Sequence, residues 1–139
     1  MDEGVIVVAW NETKMTLIGR ICTDISTRLT SDGQAMGLFT VAVNERKFDR
    51  ELGAWVAGNN LFMKVLCFGK LAEHVAATFL KGDPVVASGK IHTHRYEKDG
   101  QVRSEIELTA GAIGPDRALC EVRMRRDQPA ERAVEAVAA

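Results

Sequence analysis

Two stretches of this chain set flat rings and cations on one face of an extended backbone. Leu61 to Lys70 reads as a strand, because Phe, Val, Leu and Phe favour a pleated, half-buried surface. Its period of two puts Phe62, Lys64, Leu66 and Phe68 on one face and Met63, Val65 and Cys67 on the other. The second face is uniformly apolar and fits a core. The first carries two rings with an ammonium between them. Val85 to Arg95 shows the same habit, with Lys90, His92, His94 and Tyr96 on one face and Ile91 and Thr93 on the other. Rings stack on flat bases and cations meet phosphates, so such faces suit an unpaired polynucleotide. Neither of the two strand faces carries an acid, whereas a generic solvated face mixes signs. An ordinary strand with one exposed Lys and two buried Phe would be written in the same letters, so each strand alone decides little.

The rest of the chain must hold those faces side by side. At 139 residues it is most simply one domain with a sizeable core. The net charge of −1 excludes an argument from bulk basicity. Between Lys14 and Arg117 there are 14 basic and 12 acidic residues, and Met1 to Thr13 holds three acids and no base. Placement of the cations must therefore carry any case for a polyanion. Cys22, Cys67 and Cys120 form neither a C-x-x-C pair nor a disulfide framework, which fits free thiols in a reducing cytosol. Cys22 falls where a first strand would end, which leaves an inter-subunit disulfide open. No apolar run approaches the roughly 20 residues of a membrane span, and Val5 to Trp10 is too short for a signal peptide. Paired catalytic acids, a nucleophile–base arrangement, a phosphate loop, a metal motif and a cofactor motif are all missing from the sequence, so a binding protein and not an enzyme is expected.

In chain order, Gly4 to Trp10 could be a terminal strand or an ordered arm. Met15 to Cys22 reads as a first strand, interrupted by Gly19. Thr30 to Gly33 is a turn signal, and Met36 to Val43 a second strand. Asn44 to Asn60 is polar and reads as a long hairpin excursion carrying Phe48 and Trp55. After the Leu61–Lys70 strand, Leu71, Val75, Phe79 and Leu80 recur at helical spacing, predicting a helix over 70–81 that Gly82 and Pro84 stop. Two strands follow, joined by Lys98-Asp99-Gly100. In the last, Ile106, Leu108 and Ala110 alternate against Glu105, Glu107 and Thr109. Ala118 to Ala139 reads as a helix or a frayed tail. One helix between the third and fourth of five short strands predicts an all-β, five-stranded Greek-key OB-fold barrel with long hairpin excursions. The expected units are an arm or extra strand at 1–14, the OB-fold domain at 15–116 and a tail at 117–139.

Leu61-Phe62-Met63-Lys64-Val65-Leu66-Cys67-Phe68-Gly69-Lys70-Leu71-Ala72-Glu73 resembles the bacterial single-stranded DNA-binding protein segment W-x-[RK]-V-x-x-[FW]-G-K-L-A-E. Lys47-Phe48-Asp49-Arg50 with Gly53-Ala54-Trp55 is similar to the actinobacterial form F-D-R-x-x-G-x-W. Lys81 to Lys90 resembles a third segment, K-G-x-x-V-x-x-x-G-x-L, so the likeness runs over roughly Lys14 to Asp116. It implies base stacking by Phe62, Phe68 and Tyr96, with Phe48 in the hairpin that carries another ring. It implies phosphate contacts at Lys64, His92 and His94, and Lys90 shares their face. It also implies a homotetramer, paired through first strands and then sheet faces. Such a tetramer would coat single strands during replication, recombination and repair in the cytoplasm, associated with the nucleoid.

Three features depart from the family pattern. Several positions often occupied by Trp are Phe or Tyr here, which keeps stacking and reduces ring area. Two positions often occupied by Arg are His92 and His94. The family's acidic tip ending in Pro-Phe, which recruits protein partners, has no counterpart in Arg132 to Ala139, so a paralogue, an accessory member or a shortened form is expected. The competing readings are an OB-fold replication accessory of the primosomal kind, binding protein first and DNA weakly, and an oligomerisation domain without a working groove. An imidazole gains its charge between pH 8 and 5, so affinity for oligo(dT) is expected to rise as pH falls from about 8 to about 6. A titration series across that range checks it, and His92→Ala with His94→Ala should flatten the profile.

Overall fold

Alternating apolar and polar residues carry most of the chain into strands, and the computed structural model describes residues 10–127. The described elements are β1 (Thr13–Ile21), β2 (Ser26–Leu29), β3 (Ala35–Asp49), β4 (Ala54–Phe68), α1 (Lys70–Thr78), β5 (Pro84–Lys98) and β6 (Gln101–Pro115). The hydrogen-bonded order is β1-β5-β6-β4-β3-β2, and β1 also pairs with β3 through Arg20↔Ala42 and Ile21↔Val41. That last pairing returns the sheet to its start. The result is a ring of β1, β5, β6, β4 and β3, the OB-fold expected from the element order. All its pairings are antiparallel except β4 with β6, which run parallel.

Three details differ from the sequence expectation. A sixth strand, β2, lies outside the ring and forms a hairpin with β3 across the Thr30–Gly33 turn. All four of its residues, Ser26 to Leu29, are exposed, so no apolar alternation marks it. The expected hairpin excursion is present, but the strands run on through it past Val43 and Leu61: β3 and β4 stay paired out to Asp49↔Ala54, with one irregularity between Asn44 and Arg46. Helix α1 ends at Thr78, three residues before the predicted stop. Phe79 is already extended and turned inward at 7% exposure, while Leu80 faces solvent. Gly82 holds a positive φ in the turn that follows, where its N–H reaches the Ile21 carbonyl at 2.7 Å and ties the turn to β1. The candidate strand over Gly4–Trp10 lies, apart from Trp10, outside the described residues. So do residues 128–139 of the candidate C-terminal helix, and 118–127 form no helix.

The core sits inside the ring, under α1. Phe39 and Val41 of β3, Val65 and Cys67 of β4, Val85 of β5 and Leu108 of β6 are all at most 2% exposed. Each such side chain contributes roughly 1.5–3 kcal/mol by leaving water. From α1, Ala72 and Val75 plug the ring against β3, β4 and β6. Cys67 sits against the Gly37 carbonyl, and burial pushes its thiol above the usual range. A bulge at Gly111 separates the pairs Ser88↔Ala112 and Gly89↔Ala110, and there the two strands come very close. A Cβ at Gly89 would stand 2.0 Å from the Thr109 carbonyl oxygen, so only glycine fits.

This division into faces makes a prediction about stability. Phe39→Ala, at 2% exposure, should cost about 3–5 kcal/mol in urea unfolding. Phe62→Ala, at 64% exposure, should change it by less than about 0.5 kcal/mol. Equal losses would place Phe62 in the core.

Candidate nucleic-acid interface

The ring places β6 between β4 and β5, and the registers bring particular residues into line. Lys64 of β4 lies opposite Glu107 of β6, and Glu107 lies opposite His92 of β5. Thr40 of β3 lies opposite Lys64 on the other side. Cross-strand partners share a face, so one row runs Thr40, Lys64, Glu107, His92 across the outside of the barrel. The inward row beside it holds Val65 and Leu108, both fully buried. Alternation then carries Phe62 and Phe68 to the outer face of β4, and Lys90, His94 and Tyr96 to that of β5. The sequence-predicted residues of these two strands therefore meet on one surface.

Phe62 is 64% exposed and Tyr96 37%, while Phe68 is half-buried at the other end of β4. The His94 and Tyr96 rings are stacked, with centroids 5.7 Å apart and planes 17° from parallel. Beside Phe62 and Lys64 a depression of about 460 Å³ opens at the barrel rim, lined also by Leu61, Glu105 and Ile106. A base entering there would find a free aromatic plane with an ammonium next to it.

Phe48 stands apart from this group. It pairs with Trp55 near the end of the β3–β4 hairpin, and the two rings meet edge-on with centroids 5.6 Å apart. Six residues of β3 separate it from Ala42, the partner of Phe62, which corresponds to about 20 Å along a strand. Both hairpin rings are at least half exposed. Trp55, which the sequence reading named as a ring but gave no role, thus joins Phe48 as a second aromatic platform. The F-D-R-x-x-G-x-W spacing was the available signal, since a tight turn between Phe48 and Trp55 sets them opposite one another.

The electrostatics differ from the reading of β4 and β5 alone. Neither of those faces has an acid, but β6 brings two into the space between them. Lys64 Nζ is bonded to Glu105. His92 Nε2 lies 3.0 Å from Glu107 Oε1, and His94 Nδ1 lies 3.9 Å from the same oxygen. Lys90 Nζ lies 4.0 Å from Glu12, just before β1. Each of the four proposed phosphate contacts thus has a carboxylate beside it. Glu107 is only 5% exposed, although it belongs to the outer face, because His92 and His94 gather over it. The alternation of Glu105 and Glu107 against Ile106 and Leu108 is visible in the sequence. What sequence reading missed is the parallel pairing that inserts them between the cations.

The comparisons with known proteins agree with this geometry. The family model described as the single-strand binding protein family matches residues 12–115. The single-stranded DNA-binding protein of Paenarthrobacter nicotinovorans is 37% identical over 118 residues, covering 84% of this chain and 69% of that one. Among solved structures, the small single-stranded DNA-binding protein of Streptomyces coelicolor superimposes with a TM-score of 0.71 at 32% identity, covering 80% of this chain and 100% of that one. The second single-stranded DNA-binding protein of Mycobacterium smegmatis gives 0.67 at 34% identity, covering 83% and 99%. With the OB-fold ring, the shared outer face and a family match over nearly all of the described residues, the chain belongs to the single-strand binding protein family.

Proposed function

We propose that this chain binds single-stranded DNA without regard to sequence and protects it during replication, recombination and repair in the cytoplasm. The observation that carries the reading is Phe62, an aromatic ring 64% exposed on a face it shares with Lys64, His92, His94 and Tyr96. A ring open to solvent beside an ammonium can take a base on its face, and such stacking is worth roughly 1–3 kcal/mol. In this reading Phe62, Phe68 and Tyr96 stack on successive bases, and Phe48 receives the strand at the hairpin. Lys64, Lys90, His92 and His94 meet phosphates. The 15–116 segment is the binding domain, and nothing in it turns over a substrate. No helix among the described residues is long and apolar enough to cross a membrane.

The reading extends to a homotetramer. Its support in this chain is β1, which pairs with β3 only at Arg20 and Ile21, so among the described residues the edge from Thr13 to Ile18 on that side has no strand paired to it. Ile18, 59% exposed, stands on the outer face of the same strand. An open edge of this kind is a template for pairing with a second copy.

Titration of labelled oligo(dT) at two salt concentrations tests the binding directly. Tight binding with a steep negative salt slope is expected. Binding that is only micromolar and survives only at low salt would instead favour an accessory module whose first partner is a protein. Phe62→Ala should weaken strand binding about 5- to 150-fold, matching the stacking energy, with the fold intact. Light scattering should give about 61 kDa, four times the 15.2 kDa chain, and a monomer mass would contradict the tetramer.

A further inference from the structure

The cations of this face are already engaged, and one of their partners is built to let go. Glu105 and Glu107 both project from β6 into the row of cations, but their surroundings differ. The Glu107 side chain is 7% exposed and held between two histidines. The Glu105 side chain is 32% exposed, and the Lys64 side chain bonded to it is 34% exposed. Glu105 also lines the depression beside Phe62, where a strand seated on that ring would run. A phosphate reaching Lys64 arrives where a carboxylate already is. Two anions beside one ammonium repel each other, which favours withdrawal of one, and Glu105 has solvent to withdraw into.

The geometry points to Glu105 as an internal competitor of the strand: a carboxylate that occupies Lys64 in the free protein, is displaced by phosphate on binding, and so lowers the affinity and salt sensitivity of the interface. This rests on the single-stranded DNA reading and adds to it the residue that sets its strength. Displacement leaves Glu105 to be neutralised by solvent cations. Part of the ion release expected from the Lys64–phosphate contact is thereby cancelled. Glu107 does not serve this way, because it has little solvent to move into and its histidines lie over it.

The test compares wild type, Glu105→Gln and Glu105→Ala by titration of labelled oligo(dT) over a range of salt concentrations, with melting temperatures recorded for each. Glu73→Gln on the exposed side of α1 makes the same change in net charge away from the face. Glu105→Gln is expected to bind about two- to fivefold more tightly at low salt, the range of a partly exposed ion pair. Its plot of log affinity against log salt should be steeper by up to about 0.7, the share of one phosphate contact on a single strand. Glu105→Ala should follow it, and Glu73→Gln should match wild type. Unchanged or weaker binding by both Glu105 variants overturns the competitor role, since Glu105 would then be holding Lys64 in a productive place. Equal gains from Glu73→Gln and Glu105→Gln also overturn it, in favour of bulk charge. If wild type itself binds no oligo(dT), the DNA reading fails first and the competitor with it.

Discussion

Everything at the surface of this barrel depends on where β6 inserts. It runs parallel to β4 and antiparallel to β5, with Lys64, Glu107 and His92 in one line and Val65 and Leu108 buried in the adjacent one. A strand cannot slip by one residue without turning its inward set outward. The burial of Val65 and Leu108 therefore fixes which side chains reach the outer face. Core packing on the inside and the arrangement of rings and charges on the outside are two consequences of one register.

That arrangement is more balanced than a simple basic groove. The Phe62 plane is left free, whereas the cations are each met by a carboxylate from a neighbouring element. The division of labour follows from dielectric. Stacking on Phe62 requires only a bare plane and works with any base. A cation spaced against an acid is poised but discounted, and its contribution depends on whether the acid can move aside. The net charge of −1 for the whole chain is consistent with a protein whose grip begins with rings.

Much of this was legible in the letters, because alternation is a local property. Phe62, Lys64 and Phe68 against Met63, Val65 and Cys67 could be sorted into faces without knowing any partner strand. The helix after Gly69 was legible from the change of period at Leu71 and Val75. Legibility failed where pairing decided the outcome. β2 has no buried residue, so its four letters carry no periodicity. The end of α1 is set by Phe79 turning into the core, a tertiary choice that helical spacing does not record. Glu105 and Glu107 were seen as the polar half of an alternation. The β5–β6 hairpin sets them against the histidines, and the parallel β4–β6 pairing, which no local pattern records, sets them against Lys64. Phe48 could be assigned to the hairpin from its motif, but its distance from Phe62 is set by the continued pairing of β3 with β4, which holds it on Trp55 far along the hairpin.

The central claim is that one outer face, spanning β4, β6 and β5, receives the strand. Photo-crosslinking of an oligonucleotide carrying 5-iododeoxyuridine, with the attached residues mapped by mass spectrometry, reads that face directly. Adducts at Phe62 and Tyr96, with Phe48 or Trp55 joining as the oligonucleotide lengthens, are the predicted result. Adducts confined to the opposite side of the ring, on β1 or α1, would contradict it.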